Sequence, residues 1–141
     1  MKVFVDTGAF CAFTIPNDQH NRIAKEIYKR LKGENAAFYT SNYVLDEVFT
    51  LLKTRGSHKT AVKFMEQLEE KSHLDIMQVS EVIEEAAKVI FKRFDDKRLS
   101  FTDCTSFSLI NRFKIDAVFA FDEHFRYHPY SHTVTFLGQS K

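Results

Sequence analysis

VFVDTGAF (residues 3–10) decides how this chain is read. Val3, Phe4 and Val5 make the apolar run of a buried strand, and the run stops at a carboxylate, Asp6, followed at once by Thr7 and Gly8. VFAFDEHF (118–125) repeats the pattern: an apolar strand that ends in Asp122. Taken singly, each Asp reads as a turn former or a helix cap. Taken together in a parallel sheet, the two carboxylates fall on the same edge.

The rest of the chain supplies that sheet. Strands are expected at 2–6, 37–40, 74–79, 117–121 and, weakly, 132–136. Helices are expected at 19–32, 42–55, 57–71, 81–94 and 102–114. Gly56 divides the second helix from the third, and Ser57 is the predicted N-cap of the third. The helix over 81–94 is the clearest, with Ile83, Ala86, Ala87, Ile90 and Phe94 on one face. Alternating strands and helices predict an α/β fold: a three-layer α/β/α sandwich around a central, mostly parallel sheet. In such folds ligands sit beyond the carboxyl ends of the strands, near a topological switch point. Gly8 is expected to let the chain turn tightly after Asp6.

Two more acids fit this edge. In YVLDEVFTLL (43–52) Val44, Leu45, Val48, Leu51 and Leu52 share one helical stripe. Asp46 points away from it, as a solvated acid does, whereas Glu47 lies on its border. A boundary glutamate with its stem on the apolar face is the plain explanation of Glu47. In LSFTDCTSF (99–107) Asp103 shares a face with Ser106, Phe107 and Ile110, so it points inward. Ser100-x-x-Asp103 also approximates a capping box, and an acid in the first turn suits the helix dipole.

Composition sets the frame. The 141 residues predict one domain, 1–141, and 15 Phe with 44% hydrophobic content can fill a core without disulfides. Cys11 and Cys104 alone make neither a disulfide framework nor a zinc knuckle, and point to reduced thiols in a cytoplasmic protein. Met1-Lys2 leads straight into a strand, which predicts no secretory signal, and no apolar run reaches the ~20 residues of a membrane helix. The net charge is +1, but setting aside the four acids leaves 15 acids against 20 bases, a mildly basic remainder of +5 that suits a polyanionic partner.

Semi-buried carboxylates that converge repel one another and raise each other's pKa, and a divalent cation removes the conflict. The candidate donors are hard oxygens, carboxylates with the hydroxyl of Thr7 or Thr102, which suit Mg²⁺ or Mn²⁺ rather than zinc. A water on such an ion is a nucleophile for hydrolysis.

Four segments in this order resemble the PIN domain, most closely the VapC type of toxin–antitoxin systems: VFVDTGAF with Asp6 and Thr7, SNYVLDEVFTLL with Glu47, LSFTDCTSFSLI with Asp103, and VFAFDEHF with Asp122. The resemblance spans nearly the whole chain, with none of the four acids replaced. It implies an Mg²⁺- or Mn²⁺-dependent endoribonuclease in which Asp6, Glu47, Asp103 and Asp122 bind metal and Thr7 assists. It also implies RNA ends with a 5′-phosphate and a 3′-hydroxyl, a homodimer, and silencing by a partner antitoxin. On this reading Asp6, Glu47 and Asp103 touch the ion, while Asp122 holds a second ion or acts through water.

Other features carry less. His124, His128 and His132 recur every four residues, but Pro129 breaks any helix through them, so an exposed loop is expected, with Arg126, Tyr127 and Tyr130 available to RNA. Lys53, Arg55, His58, Lys59 and Lys63 form a basic stretch that reads as a solvated surface or a substrate or antitoxin contact. Cys104 has no histidine beside it in sequence and reads as a packed small residue. A receiver domain requires a late Lys where this chain has Asp122, and a haloacid-dehalogenase-like phosphatase requires Asp where it has Gly8. The remaining rival is a PIN scaffold that binds RNA or protein without cutting.

Overall fold

The computed structural model describes residues 1–70, 73–126 and 128–138. The chain runs β1 (Lys2–Val5), α1 (Thr7–Thr14), α2 (Asn21–Gly33), β2 (Ala37–Ser41), α3 (Asn42–Leu51), a π-helical turn (Leu52–Gly56) and α4 (His58–Glu70). It continues with β3 (Leu74–Met77), α5 (Glu81–Arg93), α6 (Phe101–Arg112), β4 (Ala117–Phe119), a 3-10 turn (Glu123–Arg126) and β5 (Thr135–Leu137). The strands lie in the order β3-β2-β1-β4-β5, and all four pairings are parallel. From β1 the chain builds outward through β2 and β3, then returns to the other side of β1 for β4 and β5. The junction of β1 and β4 is therefore the switch point, and a crevice is expected at its carboxyl end.

Strand alternation divides the core into two. Val3 and Val5 pair in register with Ala117 and Phe119 and share their face with Phe38; Ala24 and Leu31 of α2 cover it. Phe4 and Val118 point the other way, against Val44 and Val48 of α3 and Phe107 and Ile110 of α6. Apolar residues on both faces make β1 a central strand, with Val3 and Phe4 fully buried. Helices on both faces complete the α/β/α sandwich.

The structure differs from the sequence expectation most after β1. Residues 7–14 form a helix where a tight turn was expected. α1 is wedged between the two cores, with Cys11 in one and Ala9 and Ala12 in the other. A helix buried on both sides has no polar face, so TGAFCAFT lacks the 3.6-residue alternation that marks a surface helix. Gly8 sits in the first turn of α1, and a Cβ built on it meets nothing within 4 Å. Its backbone does not require glycine.

Elsewhere the elements shift at their ends. The helix expected over 42–55 is regular only to Leu51 and closes in the π-helical turn. Ser57 does cap the next helix, its Oγ accepting from the Thr60 N–H at 3.1 Å. That helix was expected to reach Lys71, which lies outside the described residues. The last strand begins at Thr135 rather than at His132.

Replacing Gly8 by Ala tests the helical assignment. Gly8→Ala is expected to raise unfolding stability by a few tenths to about 1 kcal/mol in urea titrations, because it adds helix propensity without a clash. Destabilisation would mean that a turn, and not a helix, follows Asp6.

Candidate active site

Asp6 follows the last residue of β1 in extended backbone (φ −91°, ψ 166°), where it serves as the N-terminal boundary of α1. Its N–H still donates to the Phe119 carbonyl at 3.0 Å, so the residue is pinned between β1 and β4. Its carbonyl accepts from the N–H groups of Ala9 and Phe10 at 3.1 and 3.2 Å, and its carboxylate is eased by the Thr7 backbone N–H. Thr7 comes next, and its Oγ1 donates to Glu47 Oε1 at 2.8 Å. Ser41 caps α3 by accepting from the Val44 N–H at 3.1 Å, which fixes where that helix starts and hence which way Glu47 points. Asp46 is exposed and Glu47 half-buried, as the helical winding requires.

Asp103 has two jobs in one side chain. The capping box at Ser100 is present: Ser100 Oγ accepts from the Asp103 N–H at 3.0 Å, and Asp103 Oδ2 accepts from the Ser100 N–H at 3.1 Å. The same carboxylate is buried and faces the other acids. Asp122 lies three residues beyond β4, and its Oδ1 accepts from the His124 N–H at 2.8 Å.

The structure sets Asp6, Glu47, Asp103 and Asp122 within electrostatic reach of one another, with Thr7 bonded to Glu47, but among the described residues the ligand atoms close enough to share one ion are those of Asp103, Asp122 and His124. Asp6 is governed first by burial and then by Asp103, with Glu47 and Asp122 adding to the repulsion. Against partial relief from the Thr7 backbone N–H, its pKa is pushed up to about 8. Burial likewise raises Asp103 to about 6, with Asp122 and Glu47 adding, against relief from the Ser100 N–H and His124. Among the described residues, no lysine or arginine is among the groups that act most strongly on either acid. Converging oxygens with no lysine or arginine to neutralise them are the donor set of a hard divalent cation.

One neighbour escaped the sequence reading. The sequence predicts an exposed loop at His124, yet its side chain is only 10% exposed and its Nδ1 lies 2.9 Å from Asp122 Oδ1 and 3.8 Å from Asp103 Oδ2. The signal was Asp-x-His at 122–124, directly after a buried strand. Its two neighbours in the histidine series go elsewhere. His128 stacks on Phe107 with ring centroids 4.9 Å apart, and Tyr130 packs against the same Phe107 ring edge-on. His132 Nε2 is 2.7 Å from the Ile115 carbonyl oxygen. The expected exposed loop is therefore largely folded onto the core, because Phe107, Phe125 and Val118 give its rings an apolar surface to cover. Arg126 is exposed, and Tyr127 lies outside the described residues. Lys53, Arg55, His58, Lys59 and Lys63 are all exposed along the π-helical turn and the start of α4. Cys104 is fully buried and its thiol is pushed up to about 11, chiefly by that burial, as befits a packing residue.

A parallel sheet whose strand order reverses between β1 and β4, with carboxylates gathered near that point, defines a class before it defines a protein. The chain belongs to the PIN domain family, whose model matches residues 3–129. Among its relatives is VapC20 of Mycobacterium tuberculosis, a 23S rRNA-specific endonuclease, 31% identical over 123 residues that cover 87% of this chain and 91% of that protein. A VapC ribonuclease of Archaeoglobus fulgidus is 30% identical over 127 residues, 89% of this chain and 80% of that one. The crystal structure of M. tuberculosis VapC20, a sarcin-ricin loop cleaving toxin, has a TM-score of 0.77 and 31% identity, covering 88% of this chain and 92% of its own. VapBC2 from Rickettsia felis shares the fold at 16% identity and a TM-score of 0.68, over 97% of this chain and 99% of its own.

The electrostatics of Asp6 set the pH behaviour of the metal-free protein. Its pKa is raised on folding from 3.8 to about 8, so between those limits the folded state binds more protons, and stability falls as pH rises. Asp6→Asn removes this penalty. Thermal denaturation in EDTA is expected to show the variant gaining stability over the parent as pH rises from about 5 to about 9. A gap that is constant with pH would contradict the raised pKa.

Proposed function

We propose that this chain is a divalent-metal-dependent endoribonuclease of the VapC type. The observation that carries the reading is the burial of Asp6 within reach of Glu47, Asp103 and Asp122, with its pKa lifted to about 8 and, among the described residues, no basic side chain prominent near it. Such a group is destabilising by itself and becomes useful when a cation binds. The relatives named as ribonucleases support RNA as the substrate class.

Asp6, Glu47 and Asp103 would hold the ion, with Asp122 holding a second ion or a water. Bound Mg²⁺ or Mn²⁺ supplies charge neutralisation at the scissile phosphate and lowers the pKa of a water towards neutrality. Thr7 anchors the Glu47 carboxylate through its hydroxyl, so that the oxygen opposite stays aimed at the site. The Asp6 backbone bonds to β4 and α1 keep its carboxylate at the switch point without a side-chain cap. Water adds to phosphorus in line with the departing 3′-oxygen, which leaves a 5′-phosphate on one product and a 3′-hydroxyl on the other.

The wider setting follows the family. The description of VapC20 as a toxin supports a toxin role for this chain, and with that role we propose a cognate antitoxin, a homodimer and a cytoplasmic setting. Buried free thiols at Cys11 and Cys104 are consistent with a reducing compartment, and among the described residues no helix is long and apolar enough to cross a membrane.

Incubating the purified chain with RNA and Mg²⁺ or Mn²⁺ tests the proposal. Cleavage is expected to leave 5′-phosphate ends and to stop in EDTA. Asp6→Asn is expected to lose at least ~100-fold in rate, and Thr7→Val, which only frees Glu47, about 10–100-fold. Full activity in Asp6→Asn, or cleavage that survives EDTA, would sink the assignment. No cleavage of several RNAs with either ion would favour a binding scaffold.

A further inference from the structure

Every side chain proposed above to hold the ion donates oxygen, yet the site also contains a nitrogen. His124 sits in the 3-10 turn after β4, with its side chain about nine-tenths buried. Its Nδ1 is buried and, among the described residues, has no hydrogen-bond partner, although Asp122 Oδ1 is only 2.9 Å away. The short distance lacks the alignment of a hydrogen bond. An orphaned imidazole nitrogen beside two carboxylates is costly if nothing else comes between them.

The distances suit a shared cation. In a six-coordinate site with bonds of about 2.1 Å, adjacent donors lie about 3.0 Å apart and opposite donors about 4.2 Å. Nδ1 to Asp122 Oδ1 is 2.9 Å, an adjacent pair, and Nδ1 to Asp103 Oδ2 is 3.8 Å, between the two limits. One ligand atom from each of Asp103, Asp122 and His124 falls within 4.8 Å of the others. The backbone contributes as well: the His124 N–H donates to Asp122 Oδ1, which ties the imidazole and the carboxylate into one short turn. Asp96 and His124 line the same small cavity, and the imidazole is close enough to act on the Asp96 carboxylate.

We infer that His124 Nδ1 is a metal ligand, completing a mixed nitrogen–oxygen site with Asp103 and Asp122 that prefers Mn²⁺ to Mg²⁺. Imidazole binds first-row transition ions well and adds little for Mg²⁺, which favours oxygen and retains its water. The inference rests on the metal-dependent reading above. It differs from an all-oxygen site in one respect that can be measured without RNA: which ion binds, and through which atom.

Manganese supplies the probe. Mn²⁺ bound to the parent chain is expected to show nitrogen coupling in electron spin-echo spectra, altered by ¹⁵N-histidine labelling and lost in His124→Ala. In titrations with Mg²⁺ as competitor, His124→Ala is expected to weaken Mn²⁺ about tenfold or more while Mg²⁺ changes by less than about threefold. Asp103→Asn weakens both ions. A parent spectrum without nitrogen coupling overturns the inference, and this readout stands even if His124→Ala fails to fold. Coupling that persists in His124→Ala, or an unchanged Mn²⁺-to-Mg²⁺ preference, overturns it too. If the parent binds both ions and only these readouts fail, the nuclease reading survives; if the parent binds neither ion, both fall together.

Discussion

Like charges held at the end of a hydrophobic strand are the constraint around which this molecule is arranged. β1 has to be apolar on both faces to sit at the centre of a parallel sheet, yet the next residue is a carboxylate bonded through its backbone to β4. The strand fixes Asp6 in space, and the surrounding core denies it solvent. Placing Asp103, Glu47 and Asp122 within electrostatic reach raises the cost further. A fold selected only for stability would put a neutral side chain there.

The supports around this edge do double duty. Ser41 starts α3 and so aims Glu47, while Ser100 starts α6 and binds the very carboxylate of Asp103 that faces the cluster. A capping box and a site ligand are usually treated as competing explanations of an acid near a helix start. Here the cap restrains the acid in the orientation that the site uses, and partly offsets the effect of burying it. Thr7 does for Glu47 what Ser100 does for Asp103, by a single hydroxyl. Local secondary-structure chemistry thereby becomes the outer shell of the site.

Legibility followed periodicity. Glu47 could be placed on the border of its helix because Val44, Leu45 and Val48 mark a stripe, and a stripe defines an angle for every neighbour. Asp6 and Asp122 were visible because each ends an apolar run. α1 was not visible, since a helix buried by both cores alternates nothing, and Gly8 at its start imitates a turn. The segment after Asp122 misled for the opposite reason. Its polar and proline-containing sequence reads as solvated, but His128 and Tyr130 have flat faces that Phe107 can cover.

By itself, then, the sequence determined the class of fold, the burial of β1 and the identity of the acids, because those depend on runs and periods that neighbouring residues create along the chain. Only the tertiary structure decided that four acids from four segments come within electrostatic reach of one another, that burial makes Asp6 hard to ionise, and that His124 turns inward beside Asp103 and Asp122. Those facts depend on distances between residues far apart in sequence, and on how much water the packed core excludes. A spacing along the chain carries neither quantity.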